Sequence, residues 1–141
     1  MNCIFCDIVG KKAPSWTVYQ DEYITAFFDY YPASKWHILI VPNNHYANIF
    51  EVPDDVLWKI ISLWKKISIF YKNNLWVNHI NFIQSNWELA WQEVFHYHMH
   101  VIPRHLNDKV NFHWIPDESI RETYDDLKTY IIHWIDEDKN F

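Results

Sequence analysis

The segment from Phe95 to Val101 restricts the fold more than any other part of the chain, because apolar and polar residues alternate along it. Successive side chains of a β-strand point to opposite faces, so His96, His98 and His100 are predicted to share one face. The residues that alternate with them are predicted to face the core: Phe95, Tyr97, Met99 and Val101. At a rise of about 3.3 Å per residue the outer imidazoles lie about 13 Å apart, too far to bind one metal ion unless the strand bends. We therefore expect the three histidines to have different roles.

The patterns on either side of this segment predict a sheet with two helices. Runs rich in β-branched, aromatic and aliphatic residues predict five strands, over residues 17–20, 23–29, 37–41, 80–84 and 94–102. Apolar residues at helical spacing predict a long helix over 54–71 and a C-terminal helix over 117–137. Short connections between the strands favour antiparallel pairing. The expected fold class is therefore α+β, with a mainly antiparallel five-stranded sheet.

The length and charge of the chain limit its organisation and its partners. A chain of 141 residues is expected to form a single domain over 1–141, with 107–141 as a C-terminal helical extension. The formal net charge of -6 argues against nucleic acid or a membrane surface as a partner, because both are polyanionic. The sequence shows neither a secretory leader nor a run of about 20 apolar residues. We therefore expect a cytoplasmic, soluble protein.

Three interpretations of the alternating histidines are open from the residues alone. The imidazoles can form the exposed polar face of an amphipathic strand, or a neighbouring pair can bind a metal ion, as in a metal-dependent hydrolase that uses His98 and His100 as ligands. The third interpretation is a catalytic strand, because a neutral imidazole is nucleophilic at cellular pH. We favour catalysis, since three alternating imidazoles are an unusual choice for a surface.

The stretch from Gln92 to Arg104, QEVFHYHMHVIPR, resembles the signature of the histidine triad (HIT) family, in which histidines alternate with apolar residues. Further matching segments occur upstream in the family's order: Cys3–Cys6, Asp29, Pro32–Lys35, His37–Pro42 and His45. The resemblance extends over about residues 2–105, nearly three quarters of the chain. It implies a HIT-like fold, and a homodimer, since members of the family are usually dimeric.

The resemblance also implies a reaction. In this family the middle histidine, here His98, attacks the α-phosphate of a nucleotide and is transiently nucleotidylated, and water then releases the nucleoside monophosphate. His100 and His37 are expected to orient the site and to bind phosphate oxygens. The implied substrates are nucleoside phosphoramidates or dinucleoside polyphosphates, and no organic cofactor is required. From the residues alone, His37 can also be the ordinary first residue of a strand.

Four further residues match nucleotide-binding positions of the family. Asp29 is expected to hold the ribose hydroxyls, while Ser85, Asn86 and Gln92 are expected near the phosphate. A serine hydroxyl can donate a hydrogen bond to phosphate, as an amide does. Two ordinary alternatives stay open, because Asp29 can be a turn former at a strand end and Gln92 can be a solvated loop residue.

A second group of residues, Cys3, Cys6, His45 and His96, matches the ligands of a structural zinc ion in many bacterial relatives. Two thiolates and two imidazoles complete a tetrahedral site with no open position for a catalytic water. Such a site would use His96 and leave His98 free. The alternatives are free thiols beside unrelated histidines, or a redox-active pair, which lacks the βαβ context of a thioredoxin-like protein.

The chain departs from the family in its glycines. It contains nine tryptophans but a single glycine, Gly10, where average usage gives about ten glycines. The tryptophans at 36, 76, 87 and 91 stand where the resemblance implies glycine, and any positive φ there would be strained by about 1–2 kcal/mol. Two outcomes follow. The chain is either an active enzyme with a reshaped pocket or a catalytically impaired HIT-like nucleotide-binding or scaffold protein.

Overall fold

The computed structural model describes residues 2–138, which form two compact units divided between Val110 and Asn111. The first unit contains the sheet, two helices and all the residues predicted to form the sites. The second unit contains the C-terminal helix. The predicted single domain with an extension from residue 107 stays a prediction.

The sheet has five strands, and every neighbouring pair is antiparallel. Its strands are β1 (Thr17–Gln20), β2 (Ile24–Phe28), β3 (Ile38–Pro42), β4 (Ile80–Ile83) and β5 (Met99–Pro103). They lie in the order β1-β2-β3-β5-β4, so β5 is inserted between β3 and β4. The predicted α+β class with a mainly antiparallel sheet is confirmed.

Helix α2, Asp54–Leu75, is the long helix of the first unit. It follows Pro53 and carries two aspartates in its first turn, where they favour a helix start. The predicted end at residue 71 is too early, because the helix continues to Leu75. It ends at Trp76, which adopts a left-handed conformation.

A short helix that the sequence pattern did not predict, α1, spans Ile4–Val9. Its six residues are too few to give a clear helical periodicity. Phe5 is its buried residue and packs against Phe27 of β2. This helix carries Cys6 to the sheet.

The two faces of the sheet are covered by different helices. On one face the core includes Ala26, Ile40 and Val101, with Ile60 of α2 among them. On the other face the strand residues Phe27, Leu39 and Val41 cluster with Cys3 and Phe5. The alternation along β3 thus places even-numbered residues toward α2 and odd-numbered residues toward α1. The candidate sites lie on the α1 side.

The predicted strand over 94–102 is too long, because the hydrogen-bonded strand begins only at Met99. Pro42 ends the pairing of β3 with β5, since proline has no N–H to donate. The N–H of Tyr97 instead donates to the Tyr46 carbonyl at 2.7 Å. His96 and His98 therefore precede the strand in non-strand backbone. Tyr97 and Met99 are buried as predicted, but the core prediction for Phe95 is wrong, since it is 37% exposed.

The second unit contains a 3₁₀ turn, Glu118–Thr123, followed by α3, Tyr124–Glu137. The Asp117 carboxylate accepts a hydrogen bond from the Ser119 N–H and starts the turn, in agreement with a predicted start at 117. The apolar residues of α3, including Leu127 and Ile131, are exposed. In the part of the chain that the structure describes, no helix combines the length and apolar character needed to cross a membrane.

Candidate active site and metal centre

The sheet register brings Asp29, His37 and His100 together. Phe28 pairs with Ile38, so the next residues outward, Asp29 and His37, also meet, and the Asp29 N–H donates to the His37 carbonyl at 3.0 Å. His100 lies in β5, the strand next to β3 in the sheet. Its Nδ1 is 2.9 Å from Nε2 of His37, which is 3.4 Å from Oδ2 of Asp29. The structure thus joins three residues that the sequence places far apart.

Hydrogen bonds determine which nitrogen of each ring carries the proton. The Ala33 N–H donates to Nδ1 of His37 at 3.0 Å, so the proton of the neutral ring is on Nε2. That Nε2–H donates to Nδ1 of His100. The proton of neutral His100 is therefore on Nε2, and His100 offers an N–H donor for an anion. Neither the Ala33 donor nor its effect was predicted from the sequence, since a backbone N–H leaves no sequence signal.

In His98 the proton is on the other ring nitrogen, Nδ1. Its Nδ1 lies 2.7 Å from the His96 carbonyl, which can only accept, so Nδ1 carries the proton. The lone pair is then on Nε2. Burial lowers the pKa of His98, which keeps the ring neutral and nucleophilic at pH 7. The His98 ring lies 5.0 Å from the His100 ring and 5.2 Å from Phe5. A ring nitrogen with a free lone pair and a hydrogen-bond donor that suits an anion therefore lie side by side.

A cavity of about 540 Å³ opens beside these histidines. Its polar lining includes Asp29, His37, His98 and His100. The rest is largely apolar and aromatic, with contributions from α1 and from the segments around Trp16 and Tyr30. This volume and the convergence of a few polar groups are typical of a small-molecule site.

The aromatic wall was not predicted. Trp16 and Tyr30 stack with ring centroids 6.2 Å apart at the cavity. Tyr31 also lines the cavity, and its N–H donates to Oδ1 of Asp29 at 2.8 Å. The consecutive tyrosines after Asp29 are the sequence signal that could have indicated this wall. Flat rings of this kind can stack on a planar ligand.

The other three predicted nucleotide-binding residues are not among the residues that line this cavity: Ser85, Asn86 and Gln92. Gln92 is 3% exposed, accepts from the Trp87 N–H at 2.8 Å and donates to the Ala47 carbonyl at 2.6 Å. Oδ1 of Asn86 accepts from the Ile49 N–H at 2.8 Å. Gln92 and Asn86 therefore connect the segment 86–92 to the segment 47–49. A phosphate contact stays a prediction for Ser85, Asn86 and Gln92.

The second predicted group forms a compact cluster. The ligand atoms of Cys3, Cys6, His45 and His96 all lie within 4.8 Å of one another. Sγ of Cys3 and Sγ of Cys6 are each 3.5 Å from Nδ1 of His96, and Sγ of Cys6 is 3.3 Å from Nδ1 of His45. Ligands of a tetrahedral zinc ion, at about 2.0–2.3 Å from the metal, are about 3.5 Å apart. The cluster fits such an ion.

The surroundings of His96 prepare it to bind a metal. Its Nε2 lies 2.9 Å from the Pro42 carbonyl, so Nε2 carries the proton and Nδ1 presents its lone pair to the thiols. Burial lowers the pKa of His96 to about 4, which keeps the ring neutral at pH 7. Burial and the neighbouring Cys3 raise the pKa of Cys6 to about 11, so metal binding would release its proton.

Asp29, His37 and His100 also offer ligand atoms within 4.8 Å of one another. A metal ion there would need a lone pair on Nε2 of His37. That nitrogen carries the proton, because the Ala33 N–H occupies Nδ1. The hydrogen bonds therefore disfavour this trio as a metal site and favour it as a donor group for an anion.

The four tryptophans that stand where glycine is expected all have a positive φ. The φ angles are 72° for Trp36, 58° for Trp76, 70° for Trp87 and 64° for Trp91. Each such residue with a Cβ costs about 1–2 kcal/mol. Trp91 is 84% exposed and lines the cavity that contains His98. The strain anticipated from the sequence is therefore present.

Acidification is expected to destabilise the protein through His100. Burial, with the neighbouring His98 and His37, lowers the pKa of His100 to about 3, and burial also lowers that of His37 although Asp29 opposes the shift. Between the unfolded value of about 6.5 and these lower values, the unfolded chain binds protons that the folded chain does not. The free energy of unfolding is therefore expected to fall as the pH decreases below about 6.5.

Urea unfolding at pH 7 and pH 5 would measure this effect, with a His100→Gln variant as the matched control. The variant lacks the titrating ring, so its stability should fall less between the two pH values. An equal loss in both proteins would contradict the assignment.

Comparison with known proteins agrees with this geometry. The family model described as "HIT domain" matches residues 10–107. The crystal structure of a HIT family member from Bacillus subtilis superposes with a TM-score of 0.86 at 32% identity, covering 94% of this chain and 96% of that one. A Zn-bound histidine triad family protein from Mycobacterium smegmatis superposes with a TM-score of 0.73 at 28% identity, covering 92% and 98%.

Among relatives, adenosine 5′-monophosphoramidase HNT1 of Saccharomyces cerevisiae is 34% identical over 102 residues, which are 72% of this chain and 62% of the yeast protein. The family match covers more than half of the chain. The chain therefore belongs to the HIT domain family, as the histidine segment predicted.

Proposed function

We propose that this protein hydrolyses a nucleoside phosphoramidate or a dinucleoside polyphosphate through a covalent nucleotidyl intermediate on His98. The observation that carries the proposal is the pair of opposite tautomers. His98 has a lone pair on Nε2, while His100 has an N–H on Nε2, and both residues line one cavity. A nucleophile beside a donor suits an attack on phosphorus, where charge develops on the phosphate oxygens.

The proposed reaction has two displacements. Nε2 of His98 forms a bond to the α-phosphorus while the bond from phosphorus to the leaving nitrogen or oxygen breaks. The leaving group departs with that electron pair and takes up a proton. Water then attacks the phosphorus, the bond to Nε2 breaks, and the proton of the water is released with the nucleoside monophosphate. The N–H of His100 stabilises the negative phosphate in both steps.

The nucleotide class is supported by the lining of the cavity. The Asp29 carboxylate offers acceptors for ribose hydroxyls, and Trp16 and Tyr30 offer aromatic surface for a base. The activity in the name of the yeast relative supports an adenosine phosphoramidate as the first substrate to try. No organic cofactor enters the proposed reaction.

We also propose a structural zinc ion on Cys3, Cys6, His45 and His96. The distances between the ligand atoms and the tautomer of His96 support it, as does the Zn-bound relative. When bound, the ion would connect the N-terminal segment to the sheet. The four protein ligands leave no open position, so its role is structural.

An assay of AMP release from adenosine 5′-phosphoramidate tests the proposed activity. We expect turnover at pH 7, and a parallel assay with a dinucleoside polyphosphate separates the two substrate classes. Circular dichroism of the same sample establishes that it is folded. A folded protein that releases no AMP from either substrate would contradict the proposal.

That negative result would favour a second function, a catalytically impaired HIT-like nucleotide-binding or scaffold protein. The observation in its favour is Trp91, whose indole lines the cavity that contains His98. AMP titration by calorimetry would then distinguish a binding protein from a scaffold.

The expected assembly and location rest on the family resemblance. The proposal includes a homodimer and a cytoplasmic location, without a nucleic-acid or membrane partner. Sedimentation analysis of the full chain would measure its mass in solution. A mass equal to that of one chain would contradict a homodimer.

A further inference from the structure

Most of the tryptophans of this protein do not pack in its core. Tryptophan is highly buried on average in folded proteins. Here seven of the nine are more than half exposed: Trp16, Trp58, Trp76, Trp87, Trp91, Trp114 and Trp134. Of the other two, Trp64 buries its indole N–H without a hydrogen-bond partner, which is an unfavourable arrangement. Burial therefore does not explain why the chain contains so many tryptophans.

The backbone at four of these residues is the backbone of glycine. Six residues other than glycine have positive φ in the described part of the chain, and four of them are Trp36, Trp76, Trp87 and Trp91. Only glycine adopts this region without a penalty, and asparagine is the usual second choice. Bulky side chains are rare there. One residue type, poorly suited to this conformation, thus occupies most of the positions that require it.

At three of the four positions the local environment also favours glycine. Trp76 is the C-cap of α2, a position that glycine commonly occupies, and the N–H of the next residue, Val77, donates to the Tyr71 carbonyl at 3.3 Å. Trp87 and Trp91 border the 3₁₀ turn Glu88–Ala90 on both sides. Trp76 is 87% exposed and Trp91 84%, so these two indoles gain little contact to offset the strain.

The composition points in the same direction. The chain has one glycine and nine tryptophans, and the sum of these two counts equals the about ten glycines that average usage gives for this length. A single event that converts glycine to tryptophan accounts for both abnormal counts. Independent mutations at four left-handed positions would each have to be tolerated.

We propose that residues 36, 76, 87 and 91 are glycine in the protein that its own cells make, because a codon read here as tryptophan is translated there as glycine. UGA is a suitable codon, since variant genetic codes reassign it to an amino acid and it differs in one base from the glycine codon GGA. The other five tryptophans do not have a positive φ. If one of them is encoded by the same codon as these four, the proposal makes it a glycine as well.

This inference does not depend on the proposed activity, although it affects the cavity. A glycine at 91 would remove an indole from the lining of the cavity that contains His98. It would also allow close approach of the backbone to a ligand. The natural protein would then have a more open site than the tryptophan-containing chain.

Peptide mass analysis of the protein purified from its own cells tests the proposal directly. The gene is sequenced in parallel to identify the codon at each of the nine positions. We expect the four codons to be identical, and each peptide to be lighter by the difference between tryptophan and glycine. Peptides that retain tryptophan at 36, 76, 87 and 91 would overturn the proposal, whatever the enzymatic activity.

A recombinant pair gives a second, independent measurement. A variant with glycine at all four positions is compared with the tryptophan-containing chain by thermal unfolding, with Trp58→Gly as the matched control. Trp58 is exposed within α2, where glycine is unfavourable, so the control should melt lower. We expect the four-glycine variant to melt higher by about 10 °C or more. A melting temperature equal to or below that of the parent would count against the inference.

Discussion

The variant His98→Ala is expected to lose turnover of the nucleotide substrate by at least about 1,000-fold. His98 is the one histidine of the cavity whose hydrogen bonds leave a lone pair on Nε2, because its Nδ1 donates to the His96 carbonyl. Neither His37 nor His100 can replace it, since both have their proton on Nε2. Alanine removes the nucleophile and leaves the donor of His100 in place. Steady-state AMP release measures the loss.

The control for this variant is His79→Ala, which removes an exposed imidazole that does not line the cavity. It should retain the parent rate. The fold of His98→Ala should persist, with a destabilisation of about 1–3 kcal/mol for the lost buried hydrogen bond. A folded His98→Ala protein with the parent rate would remove His98 as the nucleophile.

The second large effect is expected at the metal centre. Cys3→Ser should abolish stoichiometric zinc and lower the free energy of unfolding by about 4 kcal/mol or more. Cys3 is buried in the cluster that covers the α1 face of the sheet, so losing the ion would release α1 as well. Metal analysis by mass spectrometry and thermal unfolding measure the two results.

A chelator provides the matched comparison. It should lower the melting temperature of the parent toward that of Cys3→Ser, and it should leave Cys3→Ser itself unchanged. A parent protein that contains no zinc after expression with the metal, yet melts as before in chelator, would contradict a structural zinc ion.

The sheet could be predicted from the sequence because its strands are short apolar runs with clear breaks. The predicted start of the fifth strand was wrong, because strand pairing there depends on a residue of the neighbouring strand. The histidine segment alternates as a strand does, yet Pro42 of the neighbouring strand ends the ladder before His98. Helix α1 was not predicted, since its six residues depend on packing of Phe5 against the sheet.

For the candidate site, the sequence and the resemblance indicated the residues but not their protonation. His37, His98 and His100 were predicted to act together, and they line one cavity. Their tautomers depend on the Ala33 N–H and the His96 carbonyl. Backbone groups are the same for every residue type, so no sequence pattern could have indicated which nitrogen is the nucleophile.

Intact mass analysis can detect the covalent intermediate on His98. The protein is mixed with adenosine 5′-phosphoramidate, denatured rapidly without acid and measured at several times. We expect a transient mass increase of one adenylyl group in the parent and none in His98→Ala. AMP release without an adduct at any time, or an adduct that persists in His98→Ala, would contradict it.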